Sequence, residues 1–578
     1  MKMKRSMRKS SLLLSMILLL LSAFLTGCRF GNRSEKSPAF APSASRNNFS
    51  PPRTSPPVDH QHPYFREVAQ EAGLHYKWEV PGKRPLNILQ TIGNGCAFLD
   101  YDNDGNLDII LVGPKLALYH GDGKGHFTDV THAMGLDRLQ GRFLGCCVGD
   151  YDNDGWKDIY ISGFRTGILL HNEQGKGFRD VTAQAGLKPQ AWGASCAFAD
   201  IDGDGYLDLY VCNYVNFDPA TDLLLCPYKG VLTGCGPNDY QAAEGVLYHN
   251  ERGRAFTDVT SKWKLQTRGK GLGVAFADFK RSGRVGFAVA NDLQFGDLYE
   301  NQWRSTFSNI GTASGTGADQ DGQAHAGMGI DWGDYDNDGL FDLFVTTFRD
   351  ETKCLYHNDG QGVFHVVSAQ AGIDRPTLPY VGWGCKFFDA DNDGWLDLII
   401  ANGHVQDNIG RFEKATYREP TLFLHNLQGK PTTFADSTQS AGLGQLPLIV
   451  GRGLAVGDYD NDGRVDVLVV DSEGRPLLLH NDTTVANHWL GLNLIGTGRC
   501  NRDGYGAVIT FRDEHKRLLR QCHPGGSYLS SSDPRVHVGL GQETIKSVTI
   551  LWPDGKSQSW TDLESDRYYT VKEGEHPL

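Results

Sequence analysis

The chain has 578 residues, of which 40% are hydrophobic and 70 are glycine, a composition that fits a turn-rich, all-β globular protein and excludes a disordered chain. Its formal net charge is −13, and the chain has no basic patch of the kind that nucleic-acid-binding proteins carry. We therefore expect no nucleic acid among its partners. The length leaves room for one large domain and one smaller domain.

The first 27 residues predict an export signal. Basic residues precede an apolar run over residues 12–21, which is too short for a stable membrane span. Residues 25–28 read Leu-Thr-Gly-Cys and resemble a bacterial lipobox, which implies that Cys28 is lipidated; plain secretion is the alternative. Residues 28–63 are rich in Pro and Ser and predict an extended tether. We therefore expect an exported protein at the cell surface or in the periplasm, attached to the membrane through its lipid only.

An aspartate-rich nonapeptide then occurs seven times, and six copies have the full pattern D-x-D-x-D-G-x-x-D. Hard cations such as Ca²⁺ take several carboxylates plus backbone carbonyls as ligands. Positions 1, 3, 5 and 9 supply carboxylates, the glycine at position 6 turns the chain, and position 7 offers its carbonyl. A single copy is also compatible with a solvated acidic turn, but six copies in register predict about six Ca²⁺ sites. The predicted ligands are Asp100, Asp102, Asp104, Asn106 and Asp108; Asp150, Asp152, Asp154, Trp156 and Asp158; Asp200, Asp202, Asp204, Tyr206 and Asp208; Asp334, Asp336, Asp338, Leu340 and Asp342; Asp389, Asp391, Asp393, Trp395 and Asp397; and Asp458, Asp460, Asp462, Arg464 and Asp466.

The loops are not EF-hands. An EF-hand has its last acidic ligand at position 12 and amphipathic helices on both sides. Here the last aspartate is at position 9, and the flanking residues 95–99 and 107–112 are short apolar runs that predict strands. Each metal is therefore expected in a strand-to-strand turn.

Each loop belongs to a repeat of four short strands. The first aspartates of successive loops are 50, 50, 78, 56, 55 and 69 residues apart, which is typical of propeller blades. The sequence therefore predicts an all-β, seven-bladed β-propeller over residues 64–482. Residues 65–74 resemble the fourth strand of the other units, while the seventh unit ends at its third strand, so we expect residues 65–74 to complete the seventh blade and close the ring.

The fourth copy of the loop is degenerate. Asp278 remains at position 1, but Lys280, Ser282 and Gly286 replace the carboxylates at positions 3, 5 and 9. We expect no metal in blade four, with Lys280 neutralising Asp278.

The repeats resemble the FG-GAP (VCBS-type) blades of integrin α-subunit propellers, which carry calcium in D-x-D-x-D-G-x-x-D turns. Residues 487–573 resemble an ASPIC/UnbV domain, a small β-rich domain, through the motifs at 501–507, 525–530, 537–541 and 552–555. Together these features are similar to the cartilage acidic protein family and its bacterial relatives. The resemblance implies a secreted or surface calcium-binding protein and supplies no established reaction.

The cysteines differ in their predicted roles. Cys226 and Cys235 bracket eight residues in a long insertion of the third blade, which predicts a local disulfide. Within residues 487–573, Cys500 and Cys522 can either form a second disulfide or remain free thiols. Four other cysteines each precede a loop by four residues in different blades and are expected to be buried thiols: Cys96, Cys146, Cys196 and Cys385.

Six histidines occupy one position of the third strand in six blades. Equivalent positions in different blades are far apart, so these side chains cannot converge on one zinc ion. We expect them to pack and to hydrogen-bond within turns. They are His120, His171, His249, His357, His425 and His480.

The insertions in the repeats predict where a ligand binds. Residues 213–245, 291–297, 308–327 and 402–420 all lie on the face opposite the acidic loops, and loops on a rigid scaffold are where binding usually resides. Near the ring axis on that face, the candidate ligand-binding residues are Arg142, Trp192, Lys270, His325, Trp383, His404 and Arg452. Each of them can also be a solvated loop residue. We expect substitution of Trp192, Trp383 or His404 by alanine to leave the stability of the fold nearly intact.

Two classes of function remain. The first is a calcium-binding adhesion module for an unidentified polysaccharide or protein. The second is an extracytoplasmic polysaccharide lyase or hydrolase, in which Lys270, His325 or Arg452 would neutralise a substrate carboxylate. The sequence contains no nucleophile elbow, H-E-x-x-H motif or phosphate loop, so we favour the binding module over the enzyme.

Overall fold

A computed structural model describes residues 64–302, 306–429, 433–514, 516–561 and 563–578. The predictions for the signal segment, the tether and lipidation of Cys28 concern residues outside this part of the chain. Among the described residues, no helix combines the length and the apolar character that a membrane crossing requires.

Seven four-stranded antiparallel sheets of one pattern make up residues 64–481 of the described chain, and we call them blades. In blades one to six, each strand pairs with the next strand of the same blade. Their strands are Cys96–Leu99, Asp108–Leu111, Ala117–Gly121 and Phe127–Asp129; Arg142–Gly149, Asp158–Phe164, Thr166–Asn172 and Phe178–Asp180; Gly193–Ala199, Asp208–Asn213, Val246–Asn250 and Phe256–Asp258; Gly271–Ala277, Gly286–Asn291, Asp297–Asn301 and Phe307–Asn309; Ile330–Gly333, Asp342–Val345, Cys354–Gly360 and Val363–Val366; and Gly382–Phe388, Asp397–Asn402, Leu422–Asn426 and Phe434–Asp436.

Blade seven joins the two ends of the ring. Its strands Gly451–Gly457, Asp466–Asp471 and Leu477–Asn481 are completed by Phe65–Glu67, with Phe65 opposite Asn481. The first strands of consecutive blades contact one another, and the first strand of blade seven contacts that of blade one. The predicted all-β propeller fold is confirmed, and the predicted partner of the N-terminal strand is the observed one.

The strands are apolar on both faces because each blade lies between two others. Neighbouring residues of a strand point to opposite faces. Ile109 and Ile110 are nevertheless both fully buried, as are Leu398 and Ile399. Continuous runs of β-branched and leucine residues therefore fill the spaces between blades on either side.

Short elements occupy the connections. In the blade-three insertion, Val215–Asn216 pairs with Gln241–Ala242 and Leu225–Tyr228 pairs with Val231–Gly234. A disulfide joins Cys226 to Cys235, whereas Cys500 and Cys522 are free thiols. The helical turns are Ile88–Thr91, Gly311–Ser314, Ser368–Ala371 and Asp374–Thr377, with 3₁₀ turns at Leu136–Arg138, Pro237–Asp239, Ile409–Arg411 and Leu443–Gln445.

Two further sheets follow the propeller. In the first, His488–Ile495 lies between Val536–Gly541 and Arg567–Lys572. In the second, the strand order is Arg517–Gln521, Val508–Arg512, Ser547–Leu551 and Ser557–Trp560. We call residues 487–578 the tail domain.

Residues 525–532 of the tail domain insert into the centre of the propeller. The Ser531 N–H donates to the Cys96 carbonyl (3.0 Å), and the Ser527 N–H donates to the Ile330 carbonyl (2.6 Å). Tyr528 is fully buried and donates its hydroxyl to the Ile92 carbonyl (2.9 Å). A Cβ at Gly95 would lie 1.8 Å from the Leu529 carbonyl oxygen, so this close approach requires glycine. The tail domain is thus part of the propeller core.

Candidate metal sites and ligand pocket

The six acidic loops share one backbone conformation. In blade one, Asp100 accepts hydrogen bonds from the N–H groups of Asp104 (3.2 Å) and Gly105 (3.0 Å). Gly105 has φ of 87° and Asn103 has φ of 58°, so positions 4 and 6 are left-handed. Glycine and asparagine adopt this conformation at least cost. The curled loop brings the carboxylates of positions 1, 3 and 5 towards one centre.

The aspartate at position 9 ties each loop to its third strand. Asp108 is fully buried and accepts hydrogen bonds from the N–H groups of Tyr101 (2.9 Å) and Gly121 (2.9 Å). Burial, reinforced by the neighbouring carboxylates, raises the pKa of Asp108 to about 8. Burial likewise raises the pKa of Asp342 in blade five to about 7. These loops therefore hold several carboxyl groups in a poorly solvated space, where a bound cation would favour their ionised form.

The unpaired oxygens of the loops fit a bound cation. Buried side-chain oxygens of five loop aspartates have no hydrogen-bond partner: Asp102, Asp334, Asp342, Asp391 and Asp460. An unpaired buried carboxylate oxygen is costly unless something supplies positive charge. The donor set is rich in carboxylate oxygen, which suits a hard divalent cation. The acidic groups of the loops can hold a metal ion.

The third-strand histidines lie beside these carboxylates. His249 Nδ1 is 2.9 Å from Asp208 Oδ1, and this hydrogen bond raises the pKa of His249 to about 9. In blade five, His357 Nδ1 is 3.3 Å from an oxygen of Asp336 and 3.3 Å from an oxygen of Asp342. The sequence showed that the histidines recur but not that each ring faces the acidic loop of its own blade.

Blade four differs from the other six. Lys280 pairs with Glu300 (2.6 Å), so the prediction that Lys280 neutralises Asp278 is wrong. Asp278 instead accepts hydrogen bonds from the N–H groups of Ser282 (2.8 Å) and Gly283 (2.6 Å). The extended lysine side chain reaches the third strand rather than turning back to position 1. The absence of metal from this blade stays a prediction.

The tail domain sits on the face that carries the acidic loops. Tyr568 donates its hydroxyl to Asp458 Oδ2 (2.9 Å), and the Gly539 N–H donates to Asp389 Oδ2 (3.1 Å). Asp503 accepts from the backbone N–H of Asp150 (2.7 Å). Position-1 residues of three loops therefore contact the tail domain directly, and loop geometry also determines how this domain is held.

A pocket opens on the opposite face, formed by the insertions that the sequence singled out. Its cavity measures about 270 Å³ and is mostly apolar. Phe348, Trp383, Leu293 and Ile88 contribute apolar groups, while Asp292, Glu351, Gln406 and Thr91 contribute polar groups.

Two features of the pocket stand out. Leu293 has φ of 54° and is 37% exposed, and strained backbone of this kind is concentrated at functional sites. Burial raises the pKa of Asp292 to about 6, although its carboxylate accepts the Tyr214 hydroxyl (2.5 Å).

The candidate ligand-binding residues are mostly buried. Trp192, His404 and Arg452 are fully buried, and Trp383 is 2% exposed. Lys270 and His325 are also buried, whereas Arg142 is exposed and donates to the Leu89 carbonyl (3.2 Å). Of these seven residues, only Trp383 lines the pocket. Burial of all three side chains contradicts the expectation that alanine at Trp192, Trp383 or His404 leaves stability nearly intact. The two tryptophans belong to the core cluster that includes Tyr528 of the inserted segment, and His404 packs against Phe348.

These features place the protein in the class of all-β propellers whose blades carry an acidic loop between the first and second strands. The family described as FG-GAP-like repeat matches residues 100–161, 150–211 and 334–400, and the family described as ASPIC and UnbV matches residues 496–578. The chain therefore carries FG-GAP-like repeats followed by an ASPIC/UnbV domain, as the sequence motifs indicated.

Curated relatives include cartilage acidic protein 1 from Mus musculus and from Homo sapiens. The mouse protein is 25% identical over 313 residues, covering 53% of this chain and 45% of the relative. The human protein is 25% identical over 395 residues, covering 56% of this chain and 58% of the relative. This chain thus spans about half the length of the curated relatives it matches.

Solved structures with partial similarity include an Agrocybe aegerita lectin that recognises non-reducing terminal N-acetylglucosamine and YCF48 bound to D1 peptide. The lectin has a TM-score of 0.37 at 16% identity, covering 59% of this chain and 79% of that chain. YCF48 has a TM-score of 0.38 at 10% identity, covering 70% of this chain and 100% of that chain.

Proposed function

We propose that this chain is an exported, calcium-stabilised binding module that captures a polysaccharide or protein ligand in the pocket opposite its acidic loops. One observation carries the proposal: insertions from several blades line one mostly apolar pocket that contains the carboxylates of Asp292 and Glu351. Pockets of this composition are the usual ligand sites of rigid scaffolds.

The size and lining of the pocket restrict what binds. A cavity of about 270 Å³ is just below the range of roughly 300–1,000 Å³ that takes a whole drug-sized ligand. It therefore suits one ring of a longer ligand, either a sugar or an aromatic side chain. Phe348 is half-buried and offers a ring for packing, and Gln406 offers an amide for hydrogen bonds.

The polar groups of the pocket favour binding over catalysis. Glu351 accepts the N–H of Ala326 (3.0 Å) and Asp292 accepts the Tyr214 hydroxyl, so both carboxylates already hold the scaffold in place. A general base has to be within reach of a substrate proton and free to take it. Groups fixed in this way orient a ligand rather than exchange protons with it.

Calcium is the proposed occupant of the six loops, because their donors are carboxylates with a backbone carbonyl. The lipobox-like segment around Cys28 supports anchoring to a membrane by lipid, which would display the pocket outside the cytoplasm.

Alanine at Phe348 or Gln406 is expected to weaken ligand binding at least about tenfold, because each removes a pocket contact. Calcium-loaded full chain, screened on glycan and peptide arrays, identifies the ligand, and titration of the two variants measures the loss. Val363→Ala, a change at an exposed residue of blade five away from the pocket, is the matched control and should bind normally. A ligand that binds both pocket variants with unchanged affinity would place the site elsewhere.

Asp292→Asn is expected to alter how stability depends on pH. The folded pKa of about 6 exceeds the ordinary value of about 3.9, so Asp292 contributes stability at low pH that is lost as pH rises through 6. Asparagine does not titrate, so the free energy of unfolding of the variant does not fall in this way. Relative to the parent protein, it should rise by up to about 3 kcal/mol between pH 4 and pH 7.

Thermal melts of both proteins in saturating calcium measure this difference, and contributions from the acidic loops cancel in the comparison. A stability difference that stays constant between pH 5 and pH 7 would show that Asp292 has its ordinary pKa in the folded protein.

A further inference from the structure

In all six intact loops, the third-strand histidine faces the carboxylates through the same ring nitrogen. Nδ1 lies 2.9–3.3 Å from an oxygen of the position-9 aspartate in every one of these blades. In five of them it also lies 3.3–3.8 Å from an oxygen of the position-3 aspartate. In these five blades, Nδ1 therefore has the same position relative to the aspartates at positions 3 and 9, the proposed metal ligands.

In two blades this contact is also a hydrogen bond, from His120 to Asp108 and from His249 to Asp208, whereas the other four histidines keep the same position without one. The Nδ1 atoms of four histidines are buried and have no hydrogen-bond partner: His171, His357, His425 and His480. Adjacent ligands of a six-coordinate ion with bonds of about 2.4 Å are about 3.4 Å apart. In blade five, Asp334 at position 1 is fully buried and its Oδ1 is also unpaired, so a nitrogen donor and an oxygen donor of this loop both lack a partner.

Blade four provides an internal comparison. It has lost the carboxylates of positions 3, 5 and 9, and it is also the blade in which the histidine is replaced, by Glu300. Glu300 pairs with Lys280 at position 3 (2.6 Å). The histidine is therefore present wherever the metal-type carboxylates are present and is lost together with them. A residue that only packed against the turn would have no reason to follow the carboxylates.

We propose that Nδ1 of these six histidines is a direct ligand of the ion in each loop, which makes the sites mixed oxygen and nitrogen sites. This inference rests on the proposed metal occupancy of the loops. Carboxylates suit Ca²⁺ and Mn²⁺, whereas imidazole suits first-row transition metals. The loops therefore accept Mn²⁺ as well as Ca²⁺, and bind Mn²⁺ better, relative to Ca²⁺, than all-oxygen loops of the same shape.

In blade seven, the other ring nitrogen is placed to support this role. His480 Nε2 lies 3.3 Å from Asp482 Oδ1, so its proton can be donated to a carboxylate while Nδ1 keeps its lone pair for the metal. Carboxylate partners of this kind orient metal-ligating histidines and fix their tautomer.

The test uses Mn²⁺ as the probe on the full chain. Pulsed electron paramagnetic resonance detects the ¹⁴N nucleus of an imidazole bound to Mn²⁺, and we expect this nitrogen modulation in the wild-type protein. Substituting three of the six histidines, His171→Glu, His357→Glu and His425→Glu, should reduce the modulation per bound ion to about half. Glutamate is the residue of blade four at this position and keeps an oxygen donor.

The same triple variant should retain Ca²⁺ binding and a cooperative melt, while the ratio of Mn²⁺ to Ca²⁺ affinity at the three altered sites falls at least about tenfold. Bound Mn²⁺ without nitrogen modulation in the wild-type protein would overturn this inference alone and leave the calcium proposal standing. Failure of both ions to bind would overturn the two together. The wild-type measurement decides the matter even if the variant does not fold.

Discussion

EDTA is expected to lower the melting temperature of the full chain by about 10 °C or more. Cations bind the curled loops of the folded ring and have little affinity for the unfolded chain, so they stabilise by mass action. At 100 times the dissociation constant, one site contributes about 2.7 kcal/mol, and six sites together contribute several times that amount. The loops also hold the tail domain through Asp150, Asp389 and Asp458, so their loss loosens both domains.

A matched pair of variants shows which loops contribute to this effect. Asp338→Ala removes the position-5 carboxylate of blade five and should reduce the calcium-dependent rise in melting temperature. Ser282→Ala changes the equivalent position of blade four, where no metal is expected, and should leave that rise unchanged. Differential scanning fluorimetry with and without calcium measures both. A melting curve that does not respond to chelation would show that the loops are stable without an ion.

Phe65→Ala is expected to destabilise the whole ring by about 3–5 kcal/mol. Phe65 is 3% exposed and its ring packs against Phe388 (centroids 6.2 Å apart) and Phe423 (5.5 Å), which belong to blade six. Its strand pairs with the third strand of blade seven, so the substitution weakens the junction at which the ring closes. Deletion of residues 64–74 should have a still larger effect and leave blade seven with an open edge.

Arg66→Ala is the control for this junction. Its side chain lies on the same short strand but is 52% exposed, and it pairs with the exposed side of Asp482. Exposed ion pairs contribute less than about 1 kcal/mol. Urea unfolding of the three proteins in saturating calcium measures the difference. Equal midpoints for Phe65→Ala and wild type would contradict closure of the ring by the N-terminal strand.

Features that depend on residues close together in sequence were predictable. The glycine at position 6 and the carboxylates around it fix the loop conformation locally, so Asp100 and Gly105 adopt the arrangement that the motif implies. Closure of the ring followed from counting strands, because residues 65–74 match a fourth strand and the last unit lacks one. Neither inference requires knowledge of distant contacts.

Features that depend on the tail domain were not predictable. Trp383 and Arg452 precede the inserted segment by many residues, yet the Trp383 ring lies 4.8 Å from the Tyr528 ring and 4.2 Å from the Arg452 guanidinium. This insertion turns residues expected at a solvated axis into core. The ligand pocket likewise forms where insertions from different blades meet, as Leu293 and Gln406 do.

The histidines lie between these two cases. Their recurrence was visible, and so was the replacement by Glu300 in blade four. Their position beside the carboxylates required the register of the first turn against the third strand, as in the approach of His357 to Asp336 and Asp342. The sequence pattern predicted only packing and turn hydrogen bonds for them, and the joint loss of histidine and carboxylates in blade four is the signal that would have indicated a shared role.

Metal content measured on the purified full chain tests the central claim most directly. After equilibration with Ca²⁺ and removal of free ions by gel filtration, elemental analysis should approach six Ca²⁺ per chain, and Asp338→Ala should lower that number by about one while Ser282→Ala leaves it unchanged. A calcium content near zero in folded protein, or an equal content in all three proteins, would contradict the assignment of the six acidic loops as metal sites.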